Sequence, residues 1–315
     1  MKYLPLSSVT RAYARLASVT LSLVALSASA MHIQTLNPGD EPALTQAGYE
    51  QTPFGFVHKS CVFEVKDGEV VDATDGKIVH VDKSVNRPAR CGYPLYRHAA
   101  TSAKAQPLPA TNGWVENVNW TAPAYITRLY AAWHAPTYPT QSGSSGSGGQ
   151  LLYFFPGTEP SVGGDIYQPV LSYGYNSANY EISSWYVGPN VYHSKFQAIP
   201  AGAGIIGTIT GSSCTSTGTC TYVVTTNAWT ERKSVSVTVR GGGAQRWVFG
   251  GVVEVYNVTS CDQMPASHAI QFYSIGLWHG ATKYTPAWSN GFGNGLPAPC
   301  SRKISSSPSV VNLKW

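Results

Sequence analysis

A chain of 315 residues with 12% charged residues and a formal net charge of +5 lacks the basic clusters of a nucleic-acid-binding protein. Abundant Gly, Ser, Thr and Tyr suit an extracellular β-rich protein better than a cytosolic helical one. Six cysteines with no C-x-x-C pair, and no H-E-x-x-H, argue for disulfides over a metal centre, and the chain predicts neither metal nor cofactor.

Residues 1–30 read as a secretory leader. Lys2, Arg11 and Arg15 precede the run LASVTLSLVALSASA, and Ala28-Ser29-Ala30 has the small-x-small form of a cleavage site. The apolar part is too short to span a bilayer; an uncleaved anchor is the alternative. The leader holds three of the 21 basic residues and none of the 16 acidic ones, so cleavage lowers the net charge to +2. The expected destination is extracellular or periplasmic, with no membrane contact once the leader is gone.

Residues 31–105 form a distinct region with nine of the 16 acidic residues. CVFEVKDGEVV alternates around Asp67-Gly68, a hairpin signal, and GKIVHVDK follows, so a small β unit clipped by Cys61 and Cys91 is expected. Residues 99–113, AATSAKAQPLPATNG, read as a linker. Sequence neighbourhood also pairs Cys214 with Cys220, closing the hairpin CTSTGTC, and Cys261 with Cys300, among fifteen possible pairings.

Residues 106–315 are expected to be a second, all-β domain. From Trp114 the chain is a succession of short β-patterned runs: AYITRLYAAWHAP, QLLYFFPG, IYQPVLSYG, EISSWYVG, AGIIGTITG, CTYVVTTNA, KSVSVTVRG and RWVFGGVVEVYNV. Strands at this spacing predict an antiparallel sandwich or barrel. The tract QSGSSGSGGQ (141–150) reads as a flexible hairpin loop. GAGIIG at 202–207 matches G-x-G-x-x-G, but a β-branched run follows and no helix is there to hold a phosphate. No G-x-S-x-G elbow occurs. His134, His193, His268 and His279 are scattered and read as packed or surface residues.

Two polar residues interrupt apolar strands. Glu254 lies in RWVFGGVVEVYNV, and alternation puts it on one face with Val252 and Tyr256. A carboxylate there needs hydrogen-bond donors or a raised pKa. Gln168 sits between Ile166 and Val170 and precedes Pro169, although strand prolines are usually confined to edges and bulges. Two such side chains could meet across a groove. The structural alternative is an edge-strand glutamate bound to an arginine.

The order of features from Trp114 to about Cys261 resembles the glutamic peptidases of the eqolisin family. An opening Trp strand leads to a strand ending at Pro136, a Ser/Gly loop, the glutamine segment, the Trp/Tyr strand EISSWYVG, the turn Ile199-Pro200-Ala201-Gly202 and the glutamate segment. The 86-residue gap from Gln168 to Glu254 is similar to that between the family's catalytic Gln and Glu. One departure is Phe154, where the family has a functional Trp. LLYFFPG and the extension past Cys261 are similar to the wider neprosin-like relatives, in which a glutamate replaces the glutamine.

The resemblance implies a concanavalin-like double sheet and a secreted, acid-acting endopeptidase with Gln168 and Glu254 as its catalytic pair, facing each other within reach of one water. Phe154, Trp185, Tyr186 and Tyr256 become the substrate-binding candidates. It also implies synthesis as a precursor, with residues 31 to about 105 covering the groove until cut within 99–113. The expected partner is a polypeptide substrate and the expected state a monomer. The competing reading is a secreted lectin-like sandwich that binds glycan or peptide without cutting it.

Overall fold

The computed structural model describes residues 33–37, 39–98, 111–146, 148–160 and 164–315. The expected leader and most of the expected 99–113 linker lie outside the described residues. All three expected disulfides are present: Cys61–Cys91, Cys214–Cys220 and Cys261–Cys300.

The architecture is an all-β sandwich of a nine-stranded and an eleven-stranded sheet, with a four-stranded sheet added. Alternation in the sequence explains the eleven-stranded sheet directly. In Cys220–Ala228 every second residue is buried, which is the signature of one face on a core and one toward water. In the nine-stranded sheet, Ile166–Tyr173 and Tyr180–Val187 are buried at every position, so both faces must be covered. One face meets the eleven-stranded sheet through Phe154, Leu171, Ile182, Val253 and Val255. The other carries Tyr153, Phe155, Val170, Val252 and Tyr256, packed beneath Phe56, Val57 and Leu95 of the N-terminal region.

That N-terminal region is woven into the sandwich. Its four-stranded sheet joins Ile33–Leu36, Leu95–His98, Gly55–His58 and Tyr49–Thr52. The Asp67-Gly68 turn forms, with Gly68 at φ 85°, but its arms do not pair with each other as a hairpin. Val62–Val65 adds in parallel to Val191–Ser194 at the edge of the nine-stranded sheet. Val70–Asp72 adds in parallel to Lys233–Gly242 of the other sheet. The two arms thus straddle the sandwich edge, because each finds an unpaired strand edge there.

One further expectation changes. The Gly/Ser tract is a crossover between sheets, since Arg128–His134 lies in the eleven-stranded sheet and Leu151–Glu159 in the nine-stranded one. Pro169 is not at an edge: its strand runs between Leu151–Glu159 and Tyr180–Val187. Its ring points at Gly207 of the facing sheet, where a Cβ would come within 2.7 Å of Pro169 Cγ. A residue without a side chain on one sheet therefore receives the ring of the other. The extension past Cys261 supplies Ala269–His279, which pairs with Arg128–His134 inside the larger sheet.

Candidate functional site

Glu254 lies on Trp247–Val258, a central strand between Thr111–Thr121 and Leu151–Glu159. It is 2% exposed. Trp114 Nε1 donates to its Oε2 at 3.1 Å, and Tyr256 Oη lies 2.7 Å from its Oε1. It is thus neither at an edge nor ion-paired to an arginine. Burial pushes its pKa up to about 7, against the Tyr256 hydrogen bond, the charge of Arg97 and the Trp114 hydrogen bond, which pull it down.

Tyr256 Oη also lies 3.0 Å from the carbonyl of Thr52. A phenol has one proton, and a carbonyl can only accept. The phenol proton is thus shared between the Glu254 carboxyl and the Thr52 carbonyl. Burial is what favours the neutral carboxyl here.

Gln168 is fully buried on the same face as Glu254. Its Nε2 donates to the carbonyl of Pro53 at 2.8 Å, and its Oε1 has no hydrogen-bond partner among the described residues. Tyr153 Oη donates to the carbonyl of Gln51 at 2.9 Å. Three consecutive carbonyls, those of Gln51, Thr52 and Pro53, are thus each held by a different side chain of one sheet face.

The register does not set Gln168 opposite Glu254. Glu254 pairs with Tyr153, and Tyr153 pairs with Ser172, four residues from Gln168. The pair is two strand spacings apart across the sheet, about 9.6 Å, and about 13 Å along it. No hydrogen bond joins them. What they share is a peptide: the carbonyl held by Gln168 is the next one along from the carbonyl held by Tyr256, the partner of Glu254.

The aromatic candidates divide by face. Tyr256 belongs to the site. Trp185 pairs with Gln168 on the same face but is buried, with its Nε1 on Ser183 Oγ at 2.7 Å. Phe154 points the other way, into the core between the sheets beside Trp315. Tyr186 also faces away, donating to Asp165 at 2.8 Å. Phe154 and Tyr186 are one residue out of phase with the site face, and a period of two sends such neighbours to opposite sides.

A cleft of about 390 Å³ runs beside this face. Glu254 and Tyr256 line it together with Trp114, Trp247, Glu159 and Arg97, whereas Gln168 does not. Sequence reading missed Trp114, Tyr153, Trp247, Glu159 and Arg97. Glu159, although it precedes Pro160, ends a strand and pairs with Trp247.

No protein-family model and no curated protein matches the chain. Solved structures do resemble it. A scytalido-glutamic peptidase with a transition state analog inhibitor matches at 13% identity and TM-score 0.47, covering 65% of this chain and 99% of that one. SCP-B, a member of the eqolisin family of peptidases in a complex with the tripeptide Ala-Ile-His, matches at 15% and 0.45 with the same coverage. Aspergilloglutamic peptidase from Aspergillus niger matches at 18% and 0.38, covering 52% and 98%.

Proposed function

We propose that this protein is a secreted peptidase acting on an extended polypeptide that lies where residues 51–54 now lie. The observation that carries this reading is the seating of the Gln51, Thr52 and Pro53 carbonyls on Tyr153, Tyr256 and Gln168. An extended backbone on that face meets donors at successive carbonyls, which is how a peptide is held without regard to its side chains. In the proposed reaction Gln168 Nε2 polarises the scissile carbonyl and stabilises the oxyanion. Glu254, ionised once uncovered, takes a proton from the attacking water and passes it to the leaving nitrogen. The amide bond breaks as the water oxygen bonds to the carbonyl carbon.

Residues 31 to about 105 act in this proposal as a cover, removed by cleavage within 99–113. The three disulfides fit an oxidising compartment. A second reading, peptide binding without hydrolysis, is favoured by the four-residue offset between Gln168 and Glu254.

Denatured casein offered between pH 3 and 7, with N-terminal sequencing of the protein itself, separates the two. The peptidase reading expects a new N-terminus within 99–113, loss of several orders of magnitude in rate for Glu254→Gln, and loss of about 10²–10³-fold for Gln168→Ala. Hydrolysis near the wild-type level in Glu254→Gln would remove the assignment. No hydrolysis by the wild type, cut or uncut, would leave the binding reading.

A further inference from the structure

Arg97 reaches into the cleft from Leu95–His98 of the covering region. Its Cζ lies 4.0 Å from the ring centroid of Phe54, also in the cover, and 5.5 Å from that of Trp114 in the sandwich. Trp114 stacks on Trp247 with centroids 6.2 Å apart and planes 8° from parallel. The guanidinium thus lies against an aromatic wall, where the ring quadrupole attracts a cation. Two carboxyl groups line the same cleft, Glu254 and Glu159, and the Arg97 charge acts on both.

Glu159 belongs to the sandwich, where its backbone carbonyl accepts from Arg246 N at 3.1 Å, while its carboxylate has no hydrogen bond or ion pair among the described residues. Burial raises its pKa and Arg97 is the one group opposing that rise. If the cover departs, Arg97 and Phe54 leave with it, while Trp114, Trp247 and Glu159 stay. What stays is an aromatic wall with a half-buried carboxylate at its end, open to water and without its cation. A flat guanidinium or an ammonium on a long apolar stem fits that chemistry, because the stem covers the rings while the charge meets the carboxylate.

We propose that Trp114, Trp247 and Glu159 form a subsite for a basic side chain of the bound peptide, and that Arg97 occupies it as a stand-in while the cover is in place. This rests on reading the Glu254 face as a peptide site, and it adds a preference for arginine or lysine near the backbone segment held there.

The test uses the full chain. In Arg97→Gln the stand-in loses its charge, and tryptophan fluorescence follows titration with N-acetyl-arginine amide or, as its uncharged match, N-acetyl-norleucine amide. The expected result is about tenfold tighter binding of the arginine probe to Arg97→Gln than to wild type, with no such gain for norleucine. Adding Glu159→Gln should erase the gain. Should Arg97→Gln melt early, Arg97→Met keeps the stem on Phe54 and repeats the measurement. Equal binding of the two probes, or a gain that survives Glu159→Gln, overturns the subsite. The readout is binding, so arginine selection without casein cleavage leaves the subsite standing and removes the peptidase reading. Cleavage without arginine selection does the reverse.

Discussion

Cys220–Ala228 and Leu151–Glu159 are both nine-residue strands of the same sandwich, yet their surroundings differ. The first alternates buried and half-exposed residues, with Val224 in the core and Thr225 outward. In the second only Glu159 escapes full burial. The inward faces meet in a shared core, so the difference lies on the outward faces. One faces water, and the other lies under residues 49–58 and 95–98. A sheet face under a cover can hold groups that water would otherwise satisfy, and this one holds Glu254, Gln168, Tyr153 and Tyr256.

Truncating the cover should show the contrast most strongly. Phe56 is fully buried against Tyr256, with ring centroids 5.3 Å apart. Phe56→Ala should cost about 3–5 kcal/mol in urea unfolding, whereas Thr225→Ala on the open face should change stability by no more than about 0.5 kcal/mol. Comparable losses would mean that the cover contributes no more than a solvated face does.

The disulfides give a finer version. Cys61–Cys91 closes 30 residues of the covering region and Cys214–Cys220 closes six at a hairpin of the open sheet. Loop-closure entropy predicts about 3.6 kcal/mol for the first and about 2.2 kcal/mol for the second. Double Cys→Ala variants of each pair, compared by denaturant midpoint, would break the comparison if the order reversed.

A third measurement uses pH. Glu116 is fully buried in Thr111–Thr121 of the covered sheet, and neither carboxyl oxygen makes a full hydrogen bond. Burial pushes it up to about 8, with the Arg302 charge and the Lys303 and Lys314 amides only tempering the rise. Glu254 stands at about 7. Both keep a proton in the fold that the unfolded chain releases near 4.5, so their contribution is full below that pH and is lost as pH rises through 7 to 8. Glu69 and Asp72, held below their ordinary values by His80 and by Arg240 with other donors, work in the opposite sense in acid. Melting curves at pH 5 and pH 8 should show wild type losing more stability than Glu116→Gln. Parallel losses would show that Glu116 ionises freely in the fold.

Much of this was legible in the chain itself. Runs of alternating Val, Thr and Tyr specify strands whatever surrounds them, and cysteines near in sequence found each other. A glutamate among valines and a glutamine among apolar neighbours marked one face through the period of two. The same alternation should have excluded Phe154 and Tyr186, each odd or even against its neighbours on the site face. Glu116, in WVENVNW, carried the same signal as Glu254 but stood just before Asn117 and Asn119, residue types common in turns.

Tertiary structure alone decided the rest. Strand pairing is non-local, so nothing in CVFEVKDGEVV could say that its two arms would join different sheets in preference to each other. The Gln168-to-Glu254 gap counts residues along the chain, but their separation in space depends on the register of Leu151–Glu159, which lies between their strands. The cover over Glu254, held through Tyr256 and Thr52, and Arg97 against Trp114 join residues as many as 204 positions apart. Local propensity sets the phase of each strand, but only the packing of distant strands determines which polar groups share a face, and what lies on top of them.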